Sequence, residues 1–240
     1  MQEHNQAFMD LIGDHTYTTF PWEITENISY ANRNFKIAPL LQNYTVYTPY
    51  LDRLNAAFYA GEDAPEYIIL YLSTIDGRLP FLEAPVTWEN IYRHYEIAAS
   101  DEEKFLLKKR AKALQKVTAV QDTKECAVGE YVELPSGCTF LKIDAPLSAQ
   151  GQLESLFYKV LPVQMEVSYT DGTIRRGRVL PVQLKEGIDV GSLIWDEADF
   201  QSYMALEARE KTVAGISLTG DGVRQYAAQM EVTFYYGSWE

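Results

Sequence analysis

The sequence predicts an α+β protein. Residues 1–115 form an N-terminal α/β subdomain with a partly parallel sheet, and residues 116–240 a C-terminal antiparallel β-sandwich, jelly-roll-like. Up to about residue 115, helical and extended patterns alternate, the order that lays helices on a partly parallel sheet. From about Lys116 onward, short segments alternate apolar and polar residues, as half-buried antiparallel strands do. Between "MEVSYT" and "TIRRGRVL" sits Asp171-Gly172, a two-residue hairpin signal.

The elements follow in order. "QEHNQAFMDLIG" (Gln2–Gly13) places Phe8, Met9, Leu11 and Ile12 near one helical face and stops at a glycine. "TYTTF" (Thr16–Phe20) is β-branched and aromatic, hence a strand, and Pro21 closes it. "PWEITENISYANR" reads as a short helix beginning at Pro21 or Trp22, and "KIAPLLQNY" as an extended segment interrupted by Pro39. Thr48-Pro49 starts a helix with a capping hydroxyl and a proline at its first position, and Gly61 ends it. "EYIILYLS" (Glu66–Ser73) is the strongest strand of this half, and "TWENIYRHY" (Thr87–Tyr95) a helix capped by Thr87. "YEIAA" and "KFLLKKR" flank "SDEE" as a hairpin. In the second half "YVEL", "CTFLKID", "VQMEVSYTDGTIRRGRVLPVQL", "TVAGISLTG" and "AQMEVTFYYG" read as strands. One helical insert, Trp195–Glu210, interrupts them.

Composition excludes several classes of function. With 21 Lys+Arg against 34 Asp+Glu, the net charge of −13 opposes binding to nucleic acid, whose phosphates need cations. It equally opposes adsorption to an anionic membrane. The basic cluster Lys104–Lys116 reads as a solvated face of an acidic protein. No apolar run approaches the roughly 20 residues that span a bilayer, and the N-terminal segment lacks the basic-then-apolar pattern of a signal peptide. Cys126 and Cys138 lack CxxC spacing and read as reduced, packed thiols, with a disulfide across a hairpin as the alternative.

The catalytic inventory is thin. His4, His15 and His94 are scattered without metal-ligand spacing, so neither a metal nor another cofactor is expected. "GISLTG" (Gly215–Gly220) lies in a strand pattern, not at the strand-to-helix turn of a serine nucleophile, and "LTGDGVRQ" reads as a turn. Carboxylates at Glu23, Asp52, Asp76 and Glu83 leave open a hydrolase using a distant pair. "TIDGRLP" (Thr74–Pro80) follows the best strand, where α/β sheets place binding residues; a plain turn at Asp76-Gly77 is the structural alternative. Trp22, Glu23, Tyr44, Tyr47, Asp52, Asp76 and Arg78 therefore define a candidate ligand crevice. On the sandwich, Trp195, Tyr203, Tyr235, Tyr236 and Trp239 are candidates for a carbohydrate-binding surface. Tyr50 and Tyr59, nine residues apart on one helix, fall on opposite faces, so the tyrosines of "QNYTVYTPYLDRLNAAFYAG" do not form one platform.

"FPWEI" (Phe20–Ile24), "LLQNYTVYTPYLDRLNAAF" (Leu40–Phe58), "APEYIIL" (Ala64–Leu70), "STIDGRLPFLE" (Ser73–Glu83) and "WENIYRHYEI" (Trp88–Ile97) together resemble the extracytoplasmic tail of uncharacterised bacterial multi-pass membrane proteins. In overall plan these are similar to membrane-embedded lipid-linked-sugar glycosyltransferases, with many spans and then a soluble domain. The resemblance covers roughly Thr16 to Ile97 and supplies no catalytic residue. It implies a non-catalytic ectodomain whose partner is the membrane-embedded portion of the same polypeptide. Its ligand would be a glycan or lipid-linked sugar, and its place the extracytoplasmic face of a bacterial membrane.

Overall fold

The computed structural model describes residues 2–22, 34–157, 161–207 and 212–240, with side chains from Gln6 onward. In the N-terminal half, helix α1 (Gln2–Ile12) turns into β1 (Tyr17–Phe20). Helix α2 (Pro49–Ala60) then crosses to β2 (Tyr67–Leu70), which pairs parallel with β1. Two helices, α3 (Pro80–Glu83) and α4 (Pro85–His94), lead to the hairpin of β3 (Tyr95–Ser100) and β4 (Phe105–Lys109). The sheet order is β1-β2-β4-β3, mixed because β4 runs antiparallel to both its neighbours.

Both faces of this sheet are covered, which is why "YIIL" is apolar throughout instead of alternating. Tyr17, Tyr67, Ile69 and Leu106 meet Phe8 and Ile12 of α1. On the other face, Phe20, Ile68, Leu70, Phe105 and Leu107 pack on Tyr59, Phe81, Trp88 and Ile91. The face of α2 follows the predicted phase: Tyr59 is 1% exposed and Tyr50 69%.

The C-terminal half contains β5 (Lys116–Ala127), β6 (Val132–Glu133), β7 (Phe140–Asp144), helix α5 (Ala149–Phe157), β8 (Val163–Tyr169) and β9 (Ile174–Val179). Helix α6 (Pro181–Leu184), β10 (Ile188–Asp189), helix α7 (Glu197–Met204), β11 (Val213–Thr219) and β12 (Gln229–Trp239) complete it. Two antiparallel sheets, β10-β7-β12-β5 and β6-β11-β8-β9, enclose a core of Leu141, Ile143, Val232 and Phe234 against Val163, Met165, Val167, Ile216 and Leu218. At the β8–β9 turn, Gly172 adopts φ +83° and the Asp171 carboxylate accepts the Thr173 amide, the chemistry that the Asp-Gly signal anticipates.

Packing crosses between the halves. Leu79 and Leu82, which follow β2, sit in the sandwich core. Ile194, Phe200, Tyr203 and Met204, on and before α7, sit in the N-terminal core. Phe200 is fully buried among Phe81, Trp88 and Phe105.

Several local expectations change. The single parallel bridge to Tyr17 is made by Phe35, just before "KIAPLLQNY"; the segment itself forms turns and enters a 3-10 segment at Asn43–Thr45, because Pro39 brings no amide to extend a ladder. Helix α4 begins at Pro85, not at a Thr87 cap. The helical insert, expected over 195–210, is helical over Glu197–Met204, and its last residues lie outside the described ones. The helix expected from Pro21 lies, beyond Trp22, outside them too. Lys104 is not a solvated lysine but 4% exposed, its ammonium over the rings of Phe8 and Tyr71. Both cysteines are free thiols, Cys126 opposite Met230 in the sandwich and Cys138 donating to the Phe140 carbonyl at 3.3 Å.

Candidate functional site

The residues proposed for the first crevice divide into three groups. Trp22 and Tyr44 meet edge-to-face with centroids 5.5 Å apart. Arg78 joins them: one Nη1 donates to the Tyr44 carbonyl at 2.9 Å and to Glu83 Oε1 at 2.8 Å. Its guanidinium also lies 5.3 Å from the Tyr47 ring centroid. The Arg78 and Glu83 side chains are each 1% exposed, so the pair is internal rather than presented to a ligand. Burial pushes Glu83 up to about 7, against the pull of Arg78 and Asn43.

Asp52 has a structural task. Its carboxylate accepts the amides of Val86 and Thr87 at 2.9 and 2.8 Å and the Thr87 hydroxyl at 2.7 Å. It thereby caps α4 from a neighbouring helix and replaces the local cap that Ala84 cannot provide. Asp76, in the left-handed region at φ +57°, is exposed and ion-paired to Arg178 at 3.0 Å. Glu23 lies outside the described residues. Asp52 and Asp76 are thus committed to different partners, and no hydrolytic carboxylate pair forms from them.

A second cavity, of about 820 Å³, opens in the C-terminal half, with Tyr92 the one lining residue named from the first half. Its walls come from the 133–140 segment between β6 and β7, from Asp189–Gly191, from Tyr203 on α7, and from the ends of β11 and β12. Tyr92 from α4 stacks on Tyr203 with centroids 4.1 Å apart and planes 23° apart, and Trp239 meets Tyr92 edge-on at 5.0 Å. Asp189 lies at the junction. Its carboxylate accepts from Trp239 Nε1 at 2.7 Å, from the Tyr203 hydroxyl at 2.9 Å and from the Gly191 amide at 2.7 Å. Burial raises its pKa, while these three donors and, more weakly, Lys116 lower it. The Tyr203 phenol is driven far above its ordinary range by burial and by the adjacent Asp189.

Glycine keeps this site open. A Cβ at Gly191 would stand 2.9 Å from Asp189 Oδ1, and one at Gly237 would stand 2.6 Å from the Phe140 ring. Thr139, Thr170, Thr212, Ser136 and Ser238 bring hydroxyls to the wall, and Trp239 remains half-exposed there.

Tyr203 and Trp239 are among the aromatics singled out on the sandwich. Trp195 is not part of the cavity: its indole donates to the Tyr169 hydroxyl at 2.6 Å, and Arg175 lies over its ring. Asp189 and Tyr92 escape sequence reasoning. "GIDVGS" carries no binding or catalytic motif, and Tyr92 lies in the helix read over Thr87–Tyr95, far away in the chain. Among the described residues, no three His, Cys, Asp or Glu side chains converge as a metal site would require. Comparison of the chain with family models, with curated proteins and with solved structures returned no match. The fold and cavity define an α+β protein with an aromatic, hydroxyl-rimmed cleft in its β-sandwich half, reached from the first half by Tyr92.

Proposed function

We propose that this chain is a non-catalytic binding domain whose cleft at Trp239 receives a carbohydrate. In this reading it serves the membrane-embedded portion of the same polypeptide at the extracytoplasmic face of a bacterial cell membrane, in cell-envelope glycan metabolism. The observation that carries the reading is the cleft of about 820 Å³, with half-exposed Trp239 beside threonine and serine hydroxyls and above Asp189. Sugars present apolar ring faces and hydroxyl edges, and an aromatic wall with a hydroxyl rim matches both. The engagement of Asp52 and Asp76 in a helix cap and a surface ion pair favours binding over hydrolysis. The membrane association rests on the segment order of Thr16–Ile97. Among the described residues no helix is long and apolar enough to cross a membrane, so in this reading the spans belong to a preceding part of the polypeptide.

Titration calorimetry of the chain with oligosaccharides from bacterial envelopes tests the binding claim. Trp239→Ala is expected to weaken binding about tenfold or more, the size of a lost aromatic contact. Trp239→Phe, which keeps a ring but loses the indole donor, is expected to fall between. Equal affinity of wild type and Trp239→Ala, with circular dichroism unchanged, would remove the cleft from the account. A reading frame without hydrophobic spans upstream of this chain would remove the membrane association.

A further inference from the structure

The β10-β7-β12-β5 sheet carries a further concavity on the face turned away from the sandwich core. Leu141, Ile143 and Phe234 belong to that core, so their sequence neighbours Phe140, Lys142 and Tyr235 point out of it. Strand register sets Tyr235 directly opposite Phe140, on the same face. Pro85, Val86 and Glu89 of α4 and the turn at Glu186 and Gly187 stand over these strands, leaving a groove of about 300 Å³. Thr118 brings a hydroxyl to the groove, and Tyr235 a half-buried ring.

The charges here are unequal. Glu89 is paired with Lys116, and Glu186 with Arg53 at 2.8 Å. Asp144, two residues along β7 from Lys142 and on the same face, is paired with Lys185 at 2.6 Å. Among the described residues, Lys142 alone of the groove's charged side chains makes no ion pair. Its position is nonetheless defined. The ammonium lies 5.9 Å from the Tyr235 ring centroid, and the stem runs beside Gly187, where a Cβ would stand 3.6 Å from Lys142 Cε. Because each neighbouring carboxylate is already matched by another base, this ammonium is left to attract an anion from solution.

We infer that the groove is a second binding site, for a sugar bearing a carboxylate, such as a uronate. The carboxylate meets Lys142 and the apolar face of the sugar ring lies along Tyr235, while the Thr118 hydroxyl and the outer lone pairs of Glu89 and Glu186 take sugar hydroxyls. Tyr235 is among the aromatics that the sequence offers for a carbohydrate surface, and the site does not depend on the cleft at Trp239. The chain as a whole is acidic, so the attraction is local and weakens with salt.

The test is calorimetry at pH 7 and low ionic strength with two tetrasaccharides, one alternating glucuronate with N-acetylglucosamine and the other of neutral N-acetylglucosamine alone, and with acetate as an anion that is not a sugar. The acidic tetrasaccharide is expected to bind about tenfold more tightly than the neutral one, and an equal concentration of acetate not to compete. Lys142→Met, which keeps the packed stem and removes the charge, is expected to abolish the difference, and Lys142→Arg to retain most of it. Tyr235→Ala is expected to weaken the acidic tetrasaccharide severalfold, whereas Trp239→Ala leaves the difference between the two unchanged. Equal binding of the two tetrasaccharides, or a difference that survives Lys142→Met, overturns the inference and leaves the reading of the Trp239 cleft standing. A difference lost in Trp239→Ala but kept in Lys142→Met overturns it by placing acid recognition in the cleft. Competition by acetate overturns the sugar and keeps an anion site, and failure of the acidic tetrasaccharide to bind overturns the groove altogether.

Discussion

Arg78 and Glu83 form the most consequential pair of residues outside the cleft. The pair ties the 3-10 segment before α2 to the loop after β2 and to α3 within a buried polar cluster that includes Asn43, Asn55 and Gln183. Within it Arg78 Nε, Asn55 Oδ1 and Gln183 Oε1 have no bonding partner among the described residues. Breaking a buried pair by removing one charge costs about 3–5 kcal/mol, whereas replacing both groups by apolar ones is often neutral. Arg78→Met is therefore expected to destabilise the protein by that amount at pH 8 in urea unfolding, and Arg78→Met/Glu83→Met to recover most of it. The pH dependence has a definite sign. Glu83 is raised in the fold to about 7, so the stability linked to its protonation is complete below about 4.5 and lost as pH rises through about 7. The stability of wild type relative to Glu83→Gln should fall between pH 5 and pH 8. A difference constant over that range would contradict the assignment. Residues of this kind were half legible in the sequence: "IDGR" marks the loop, but the partner of Arg78 depends on the start of α3, which Leu79-Pro80 does not announce.

At the scale of elements, legibility follows how local the determining chemistry is. Helix α2 reads directly because Thr48, Pro49 and Gly61 are all in the segment, and the β8–β9 hairpin reads because Asp171 and Gly172 both lie within its short turn, Thr170–Gly172, closed by Tyr169 and Thr173. The start of α4 misreads because its cap comes from Asp52, 35 positions before Thr87 and on another helix. Strand β5 carries no clear strand pattern because it is the edge of its sheet, exposed along nearly its whole length on both faces, so no alternation is imposed on it. The remote cap is testable. Asp52→Ala leaves the amides of Val86 and Thr87 without their acceptor and the Thr87 hydroxyl with only the longer bond to the residue-52 carbonyl, and is expected to cost about 2–4 kcal/mol. Thr48→Ala, which removes a single exposed 3.3 Å bond to the Leu51 amide, should cost about 1 kcal/mol or less. Amide exchange at Val86 and Thr87 should quicken in the first variant only; equal losses of stability in both would mean that Asp52 is not the cap.

For the molecule as a whole, the two architectural halves are visible in the sequence, since helix-and-strand alternation and strand-only alternation are different periodicities. Their mutual dependence is not. The N-terminal core is completed by Phe200, Tyr203 and Met204, whose short helix looks from the sequence like an interruption of the sandwich. The sandwich core is in turn entered by Leu79 and Leu82 from the first half. The cleft inherits this arrangement, because Tyr92 belongs to one half and Asp189, Tyr203 and Trp239 to the other, and only the assembled fold brings the four together. If the cores are shared in this way, the chain unfolds in one cooperative step, with near- and far-ultraviolet circular dichroism tracing the same transition. Phe200→Ala should then destabilise the whole molecule by about 3–5 kcal/mol, not the N-terminal half alone. Fragments 1–115 and 116–240, expressed apart, should each lack a cooperative transition and regain it on mixing, because each is missing side chains that seal its core. Two independent transitions in the intact chain, or a fragment that folds alone, would show that the halves merely touch, and the cleft would then be a mobile interface instead of a preformed site.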